Sequence, residues 1–452
     1  MATTKYSHAF LVGSFNGNVS PEQLDANLWK VERISANGEH RRYEEDGGYK
    51  GLCSLYYKGY LDAMIKADGQ GNVPEFVQPV VHYICDKTAK KREGIRINYH
   101  KWDGTLIKQN NYQLVVERLH IFVFPLNTII YAIEIDDTGS DLNELTMSHF
   151  LLATWAWEKG SNTLSDDTKL QISEALKPLD GIAFNKNCAI LKNEGNKLKT
   201  FQCIKVDEKL MSDETLYEIG TFSPIGCVKN HGYQTPSESY FQNVMQENTV
   251  SAFKNWKGLA LMDTFTMLGV EKSFKEDDAN FVYFPLIYLR CLFEKSFCFT
   301  RNSAYREGEN SEDIVKDITN MERFYFYDNI SYNFLPNLLY QKMAKGLGIK
   351  EERKEITQQI KERAKIDAEA REKRDADNKA ILENKRNLIG FILAIFAIFS
   401  VAWDLCSMLT TAASVSESET SAKAVLAIVF FVLAIVFITV VFILYKRYDE
   451  TK

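Results

Sequence analysis

The chain has 452 residues and a net charge of −6, with 25% charged and 45% hydrophobic residues. This acidic balance disfavours a general nucleic-acid-binding protein, and we expect no direct DNA or RNA binding. The averages combine one densely charged segment with two almost uncharged ones near the C-terminus, so each part of the sequence has to be considered separately.

The first 335 residues predict a mixed α+β cytoplasmic domain. A strand is predicted over 8–15 and a helix over 21–33, with a further helix over 49–67. Alternating apolar runs then predict a mainly antiparallel sheet, because Val, Ile, Tyr and Phe are enriched in them and turn residues separate them. These runs lie at 80–85, 95–100, 112–124 and 128–135.

The second part of this domain predicts further strands and then mostly helices. Apolar residues recur at helical spacing over 141–157 and predict a helix there. A hairpin of two strands is predicted over 188–192 and 197–206. Another helix is predicted over 236–256, and a strand over 259–268. From residue 281 onward, aromatic residues recur at helical spacing, which is typical of helix packing rather than of a cofactor site.

Residues 350–386 are the most densely charged part of the chain and predict a long solvated helix. They contain no proline or glycine, and acidic and basic residues recur at helical spacing. Apolar residues are too sparse there for a coiled-coil seam. Because no helix breaker stands before Gly390, we predict one rod of roughly 60 residues that continues into the first apolar run.

Two apolar runs, 388–409 and 424–445, each predict a membrane-spanning helix. Asp404 is the single charged residue in the first run, and the second run has none. About 22 residues at 1.5 Å each give about 33 Å, enough to cross a hydrocarbon core of about 30 Å. A helical hairpin buried in a soluble domain is the alternative, but such helices need only one apolar face. We therefore predict a C-terminal two-helix transmembrane hairpin.

Charges around the hairpin predict its orientation. Basic pairs stand at 385–386 and 446–447, whereas the loop between the spans carries Glu417 and Glu419. By the positive-inside rule, both termini are expected in the cytoplasm of a multi-pass protein of the inner (plasma) membrane. Residues 1–12 lack the features of a signal peptide.

The expected organisation has six parts. They are the α+β domain, a long charged stalk helix, a first transmembrane helix, an acidic external loop, a second transmembrane helix and a cytoplasmic tail. Their expected bounds are 1–335, 336–386, 387–409, 410–423, 424–446 and 447–452.

Small and polar side chains share one face of the first predicted span. At spacings of three and four residues, this face presents the predicted pore-lining residues Asn387, Gly390, Ala394, Ala397, Ser400 and Asp404. An ionisable residue inside a span is costly unless it faces water or a partner. One helix cannot enclose a pore, so we predict a ring of identical subunits. Glu417 and Glu419 would then form an external acidic ring, which favours cations.

The sequence contains no familiar catalytic motif. A P-loop, a G-x-G-x-x-G turn, H-E-x-x-H and G-x-S-x-G are all missing. The seven histidines and eight cysteines have no regular ligand spacing, so the sequence identifies no metal ligands. We therefore expect a protein that is not an enzyme. Glu134, Asp136 and Asp137 follow a predicted strand and are expected to be turn and solvent residues.

Two basic clusters are candidates for binding a phosphate-bearing ligand, because guanidinium and ammonium groups bind phosphate oxygens. The alternative for each residue is an ordinary solvated loop. The candidates are Arg41 and Arg42 in the first cluster, and Lys90, Lys91, Arg92 and Arg96, with Lys87, in the second.

In its layout, the chain resembles the CorA family of divalent-cation channels and transporters. A mixed cytoplasmic domain, a long helix that enters the first of two C-terminal spans, and a short acidic loop carry the resemblance, most strongly over 314–452. It implies a homopentamer in a lipid bilayer, with the long helix and first span lining the pore. The family's Gly-Met-Asn filter is missing, since residues 404–409 read DLCSML. Magnesium selectivity is therefore not implied.

A divergent CorA-like branch associated with type III CRISPR systems resembles this chain in its large cytoplasmic domain and terminal hairpin. That resemblance implies an effector of antiviral defence, a channel opened by a nucleotide second messenger such as a conjugate of S-adenosylmethionine and AMP (SAM-AMP). One alternative is a divalent metal cation transporter, of the magnesium or cobalt type, with an altered filter. Another is a membrane-anchored binding protein without a pore.

Overall fold

The structure is a computed structural model in which the chain forms two compact units, Met1–Ile360 and Lys361–Lys452. In the first unit and the start of the second it describes residues 2–17, 24–25, 28–32, 81–85, 94–126, 128–154, 163–183, 188–190, 197–230, 235–274, 284–307, 311–326, 328–331 and 333–413. Further on it describes 424–425, 428–429, 431–432, 435–437, 439–440 and 443.

Within the described residues, a ten-stranded sheet forms the centre of the first unit. Its strands are β1 (Thr4–Gly17), β2 (Lys30–Glu32), β3 (Val81–Cys85), β6 (Tyr112–Phe124), β7 (Thr128–Gly139), β8 (Cys188–Ile190), β9 (Lys199–Val206), β10 (Thr249–Val250), β11 (Trp256–Ala260) and β12 (Thr264–Gly269). The order is β10-β11-β12-β9-β1-β7-β6-β3-β2, with β8 paired to β1. Strands β9 and β12 run parallel, and the other pairs are antiparallel. A separate ladder pairs β4 (Tyr99–His100) with β5 (Leu106–Ile107).

Strands β6 and β7 form a long hairpin within this sheet, with 13 and 12 residues. The turn between them contains Pro125, whose fixed φ and missing N–H suit a turn. It also contains Leu126, which has a φ of 58° in the left-handed region. Nine of the 13 residues of β6 and every residue of β7 before Asp136 are buried, so both faces of the sheet are covered here.

Helices pack on both faces of the sheet. The helices of the described residues are α1 (Leu142–Thr154), α2 (Asp166–Ala183), α3 (Asp213–Gly220), α4 (Glu238–Asn248), α5 (Phe284–Arg306), α6 (Ser311–Phe324), α7 (Phe334–Gly346) and α8 (Ile349–Ala413), of which α6 packs on α5 and α8 continues into the second unit. Neighbouring residues of β1 point to opposite faces, as a strand requires. Phe10 belongs to a core with Ile287 of α5 and Leu339 of α7, whereas Leu11 belongs to a second core with Leu145 of α1.

The first turns of α8 are held in the first unit. Gly348, with a φ of 69°, stands immediately before the helix, and Ile349 and Ile356 are buried in the core that contains Phe10. The Lys295 ammonium of α5 donates to the Leu347 carbonyl at 2.9 Å and lies 3.2 Å from the Glu352 carboxylate. These contacts fix the position of the beginning of α8 against α5.

Several predictions from the sequence are confirmed. The N-terminal region is α+β with a mainly antiparallel sheet, and the strands and helix predicted near 8–15, 112–124, 128–135 and 141–157 are present as β1, β6, β7 and α1. The charged segment and the first apolar run form one helix of 65 residues. The rod that continues into the apolar run is therefore present.

Other predictions are wrong where pairing within the sheet overrides local spacing. Residues 30–32, predicted as helix, form β2 against β3. The predicted hairpin over 188–192 and 197–206 is not formed, because β8 and β9 both run antiparallel to β1 and so continue in one direction. Of the predicted strand 95–100, only Tyr99–His100 is a strand, paired with β5.

Three further predictions have the wrong bounds. The helix predicted over 236–256 ends at Asn248, because Thr249–Val250 pairs with β11, and the strand predicted over 259–268 is the pair β11 and β12. The predicted stalk from residue 336 is two helices, α7 and α8, with Gly348 between them. The helix predicted over 49–67 and the strand residue 80 lie outside the described residues.

Candidate functional site

One helix in the described part of the chain is long and apolar enough to cross a membrane. It is the segment Glu369–Leu405 of α8, which has 37 residues and a mean hydropathy of 2.3 in its most apolar window. Only 6% of that window is buried within the protein. A core helix of a soluble protein would instead have most of its apolar surface covered by other residues.

Large apolar side chains are exposed along the apolar run of α8, from Leu388 to Met408. Phe396 is 66% exposed, Trp403 73% and Met408 73%. Removing such surface from water stabilises a protein by about 25 cal/mol per Å², so a belt of this size strongly favours an apolar surrounding. The belt comprises Leu388, Ile389, Ile392, Leu393, Phe396, Ile398, Phe399, Val401, Trp403, Leu405 and Met408.

The six predicted pore-lining residues all lie in this part of α8. Their helical spacing places them along one face, and each of them is exposed in the chain. A Cβ added to Gly390 would meet no atom within 4 Å. These residues are Asn387, Gly390, Ala394, Ala397, Ser400 and Asp404. The face is therefore open to whatever surrounds the helix.

Residues of the second apolar run that the structure describes are helical. Among the described residues of the two runs, the rings of Phe399 and Phe437 meet edge to face with centroids 5.8 Å apart. Phe431 is 69% exposed and Ile428 62%, so these positions also present apolar surface. The described residues of the second run are thus mostly apolar and exposed, like those of the first.

Most of the other predicted site residues lie outside the described residues. These are Glu417 and Glu419 of the external ring, and Arg41, Arg42, Lys87, Lys90, Lys91 and Arg92 of the basic clusters. Arg96 is described and exposed, and its carbonyl accepts a hydrogen bond from the Thr168 hydroxyl at 3.2 Å. In the described part of the structure, therefore, no other predicted ligand residue is placed beside Arg96.

The sequence did not predict a buried polar cluster around Glu134 on β7. Arg118 donates to both carboxylate oxygens of Glu134, with Nε–Oε2 at 2.7 Å and Nη2–Oε1 at 3.0 Å. The Nε2 of His120 lies 2.9 Å from Oε2, and the Nε2 of His8 lies 3.5 Å from Oε1. We call these residues, together with His82, the Glu134 cluster.

Proton positions in the Glu134 cluster follow from its geometry. A carboxylate only accepts hydrogen bonds, so the Nε2 of His120 carries a proton and donates it to Glu134. The Nδ1 of His120 then accepts from the Nε2 of His82, at 3.0 Å. The result is a line of hydrogen bonds from His82 through His120 to Glu134, which can hold a buried negative charge.

The pKa values agree with a neutral His120 beside an ionised Glu134. Burial lowers the pKa of His120 below its usual 6.5, and the attraction of Glu134 offsets only part of this effect. Burial raises the pKa of Glu134, but hydrogen bonding to His120, the charge that His120 gains on protonation and the charge of Arg118 outweigh it and lower the value from 4.5 to about 2. The guanidinium of Arg118 is thus the main permanent counter-charge of Glu134.

A second buried carboxylate, Asp137, lies on the opposite face of the sheet. It accepts hydrogen bonds from the hydroxyls of Ser7 and Tyr112, and the Nε2 of His149 lies 3.2 Å away. Burial lowers the pKa of His149, but the charge of Asp137 and hydrogen bonds to Asp137 and Gln202 outweigh it and raise the pKa. This group ties β7 to α1 and β9.

The expectation that Glu134, Asp136 and Asp137 are turn and solvent residues is wrong for Glu134 and Asp137, and for Asp136 only its exposure is as expected, since all three lie within β7. Glu134 and Asp137 are buried within β7, because that strand continues to Gly139 alongside β6. Asp136 is half exposed and accepts from His8 at 2.6 Å. The sequence did contain a signal for this burial. His8 and Phe10 are two residues apart in a strand, as are His120 and Phe122, so each histidine lies on the same face of the sheet as a core phenylalanine.

These two clusters predict how stability depends on pH. Groups with a depressed folded pKa, His120 and Glu134, contribute stability that is present above their unfolded pKa and is lost on acidification. The His120 contribution is lost as the pH falls below 6.5. That of Glu134 is lost between pH 4.5 and about 2. His149, with a raised pKa, acts in the opposite direction.

We expect the free energy of unfolding of His120→Gln to fall less steeply than that of the wild type between pH 7 and pH 5. His149→Gln is the matched variant and is expected to show a steeper fall, because it lacks a group whose protonation stabilises the fold. Urea unfolding at several pH values, followed by tryptophan fluorescence, measures both slopes. Parallel pH profiles for the three proteins would contradict these assignments.

Among the described residues, no group of three or more His, Cys, Asp and Glu side chains has the geometry to hold a metal ion. Comparisons of the chain with protein-family models, curated proteins and solved structures found no match.

Proposed function

We propose that the protein is a CorA-like membrane channel, assembled as a homo-oligomer and expected to be a pentamer. The observation that carries the proposal is the continuity of α8, which begins in the core of the first unit and continues as an exposed apolar segment. A helix of this kind can connect a folded domain directly to a lipid bilayer. The small and polar face from Asn387 to Asp404 is the proposed pore lining.

The proposed topology is a two-helix hairpin with both termini in the cytoplasm. The ring contact between Phe399 and Phe437 supports packing of the second apolar run against the first. The acidic loop between the runs, with Glu417 and Glu419, would then face the outside of the inner (plasma) membrane, while the basic pairs at 385–386 and 446–447 stay inside.

For gating, we propose that a small nucleotide signal binds to the cytoplasmic domain and opens the channel in antiviral defence. This part rests on the resemblance to the CRISPR-associated CorA-like proteins, for which a SAM-AMP conjugate is the implied ligand. The contacts of Lys295 with Leu347 and Glu352 supply a route, since movement of α5 would be passed directly to the start of α8.

The proposal is tested with the full chain, purified in detergent and reconstituted into liposomes. Native mass spectrometry is expected to give five subunits, and ion flux from loaded liposomes is expected to rise when SAM-AMP is added. Magnesium flux that ignores nucleotides would instead favour the divalent cation transporter. A monomer or dimer without flux would leave only a membrane-anchored binding protein.

A further inference from the structure

A cavity of about 230 Å³ lies in the first unit, away from the Glu134 cluster. Its described lining comes from three parts of the fold: the β4–β5 ladder, the first turns of α1, and the turn that follows α3. Apolar and aromatic side chains form most of the wall, namely Tyr99, Ile107, Met147, Phe222 and Pro224. Such a wall suits a ligand with an apolar or aromatic body.

Hydrogen bonds hold these three parts together. Gln109 is 2% exposed, and its amide donates to the carbonyl of Glu144 at 3.0 Å and accepts from the backbone N–H of Ile97 at 2.7 Å. The side-chain oxygen of Asn143 accepts from the N–H of Ile225 at 2.8 Å. The cavity is therefore preformed rather than a gap between loosely placed loops.

The charge in the cavity comes from one described lining residue, Glu144. Its two carboxylate oxygens accept the backbone N–H groups of Asn110 and Asn111 at 3.1 and 2.9 Å. Each oxygen retains a lone pair, since a carboxylate accepts up to about four hydrogen bonds. An anionic ligand would be repelled by this carboxylate, whereas an ammonium group would be attracted to it.

Of the two aromatic residues in the wall, Tyr99 suits the same ligand charge, whereas Phe222 already lies beside a cation. Tyr99 lies within electrostatic range of Glu144, since burial and then that charge raise the pKa of its hydroxyl. The ammonium of Lys197 already lies 5.4 Å from the ring centre of Phe222. A second cation therefore fits better beside Glu144 and the face of Tyr99.

We propose that this cavity binds a small organic amine in its ammonium form, with the ammonium at Glu144 and an apolar or aromatic body between Tyr99, Met147 and Phe222. The volume matches a ligand with a single ring, because pockets for drug-sized molecules begin at roughly 300 Å³. The site does not depend on the channel proposal, and its test measures binding alone.

The test compares three probes of equal size on the full chain in detergent: benzylamine, benzyl alcohol and benzoate. Isothermal titration calorimetry at pH 7 is expected to give benzylamine at least about tenfold higher affinity than benzyl alcohol, and no binding of benzoate. Equal affinities, stronger binding of benzoate, or no binding of benzylamine would overturn the proposal.

Two variants locate the binding. Met147→Trp fills the cavity and is expected to abolish benzylamine binding, and Glu144→Gln is expected to weaken it about tenfold. Glu238→Gln, which changes a glutamate in the first turn of another helix, is the matched control and is expected to bind like the wild type. Because Glu144 also caps two backbone N–H groups, Met147→Trp and the probe series decide the question if Glu144→Gln does not fold. Unchanged binding by Met147→Trp would place the amine elsewhere.

Discussion

Replacement of Arg290 by methionine is expected to lower the free energy of unfolding of the first unit by about 3–5 kcal/mol. Arg290 is fully buried on α5, and its Nη1 lies 2.5 Å from the carboxylate of Glu294, which is 2% exposed. Its Nη2 also donates to the carbonyl of Tyr325. Methionine fills a similar volume but leaves Glu294 without its counter-charge inside the core.

The loss in Arg290→Met is also expected to depend on pH. Burial already raises the pKa of Glu294, although Arg290 and the hydroxyl of Tyr340 oppose this effect. Without the guanidinium, the pKa of Glu294 rises further. Acid then protonates the buried carboxyl group, and the cost of burying its charge is removed. The loss of stability should therefore be smaller at pH 5 than at pH 8.

The matched control for this prediction is Arg306→Met. Arg306 lies on the same helix and contacts Glu355 at 2.6 Å, but the two side chains are 67% and 47% exposed. An exposed pair of this kind contributes at most about 1 kcal/mol. The double variant with Arg290→Met and Glu294→Gln is expected to recover much of the loss. Urea unfolding of all four proteins measures these differences, and equal losses for Arg290→Met and Arg306→Met would refute the assignment.

Replacement of Asp404 by asparagine is expected to reduce cation flux through reconstituted channels about tenfold. In the proposed assembly, one Asp404 per subunit faces the path of the ion, and a ring of like charges raises the local cation concentration by ten-fold or more. Asparagine has the same shape without the charge. Liposome flux of potassium and chloride, measured side by side, should therefore show a loss of cation preference.

Asp377→Asn is the control for Asp404→Asn. The two residues are 27 positions apart on α8, about 7.5 turns at 3.6 residues per turn, so they lie on opposite faces of the same helix. The Asp377 variant is expected to conduct like the wild type. If the Asp404 variant also conducts with unchanged selectivity, Asp404 lies outside the ion path.

The sequence was sufficient to predict features whose signal is local. The charged segment and the apolar run are continuous because no proline interrupts them, and α8 runs through both as expected. Strands β6 and β7 were predicted from their β-branched and aromatic residues. Local patterns gave the wrong secondary structure where pairing with a distant strand determines it. Lys30–Glu32 pairs with β3 and Thr249–Val250 pairs with β11, although both segments were predicted as helix.

The candidate sites likewise divide into one that depends on a local pattern and others that depend on contacts between distant parts of the chain. The face from Asn387 to Asp404 could be predicted because it depends only on helical periodicity. The Glu134 cluster could not, since His8, His82 and His120 come from three strands that are far apart in the sequence and meet only through the register of the sheet. The cavity beside Glu144 depends likewise on contacts among the β4–β5 ladder, α1 and the turn after α3.

In the proposed channel, one face of α8 lines a water-filled path through a membrane. Single cysteines at Ala394, Ala397 and Ser400, and others at Phe396, Ile398 and Phe399, would be introduced into a Cys406→Ser background and reconstituted into liposomes. Labelling by a charged methanethiosulfonate reagent is then measured by mass spectrometry. We predict labelling at the first three positions and protection at the other three. Labelling at all six positions, or mainly at the phenylalanine and isoleucine positions, would contradict the claim.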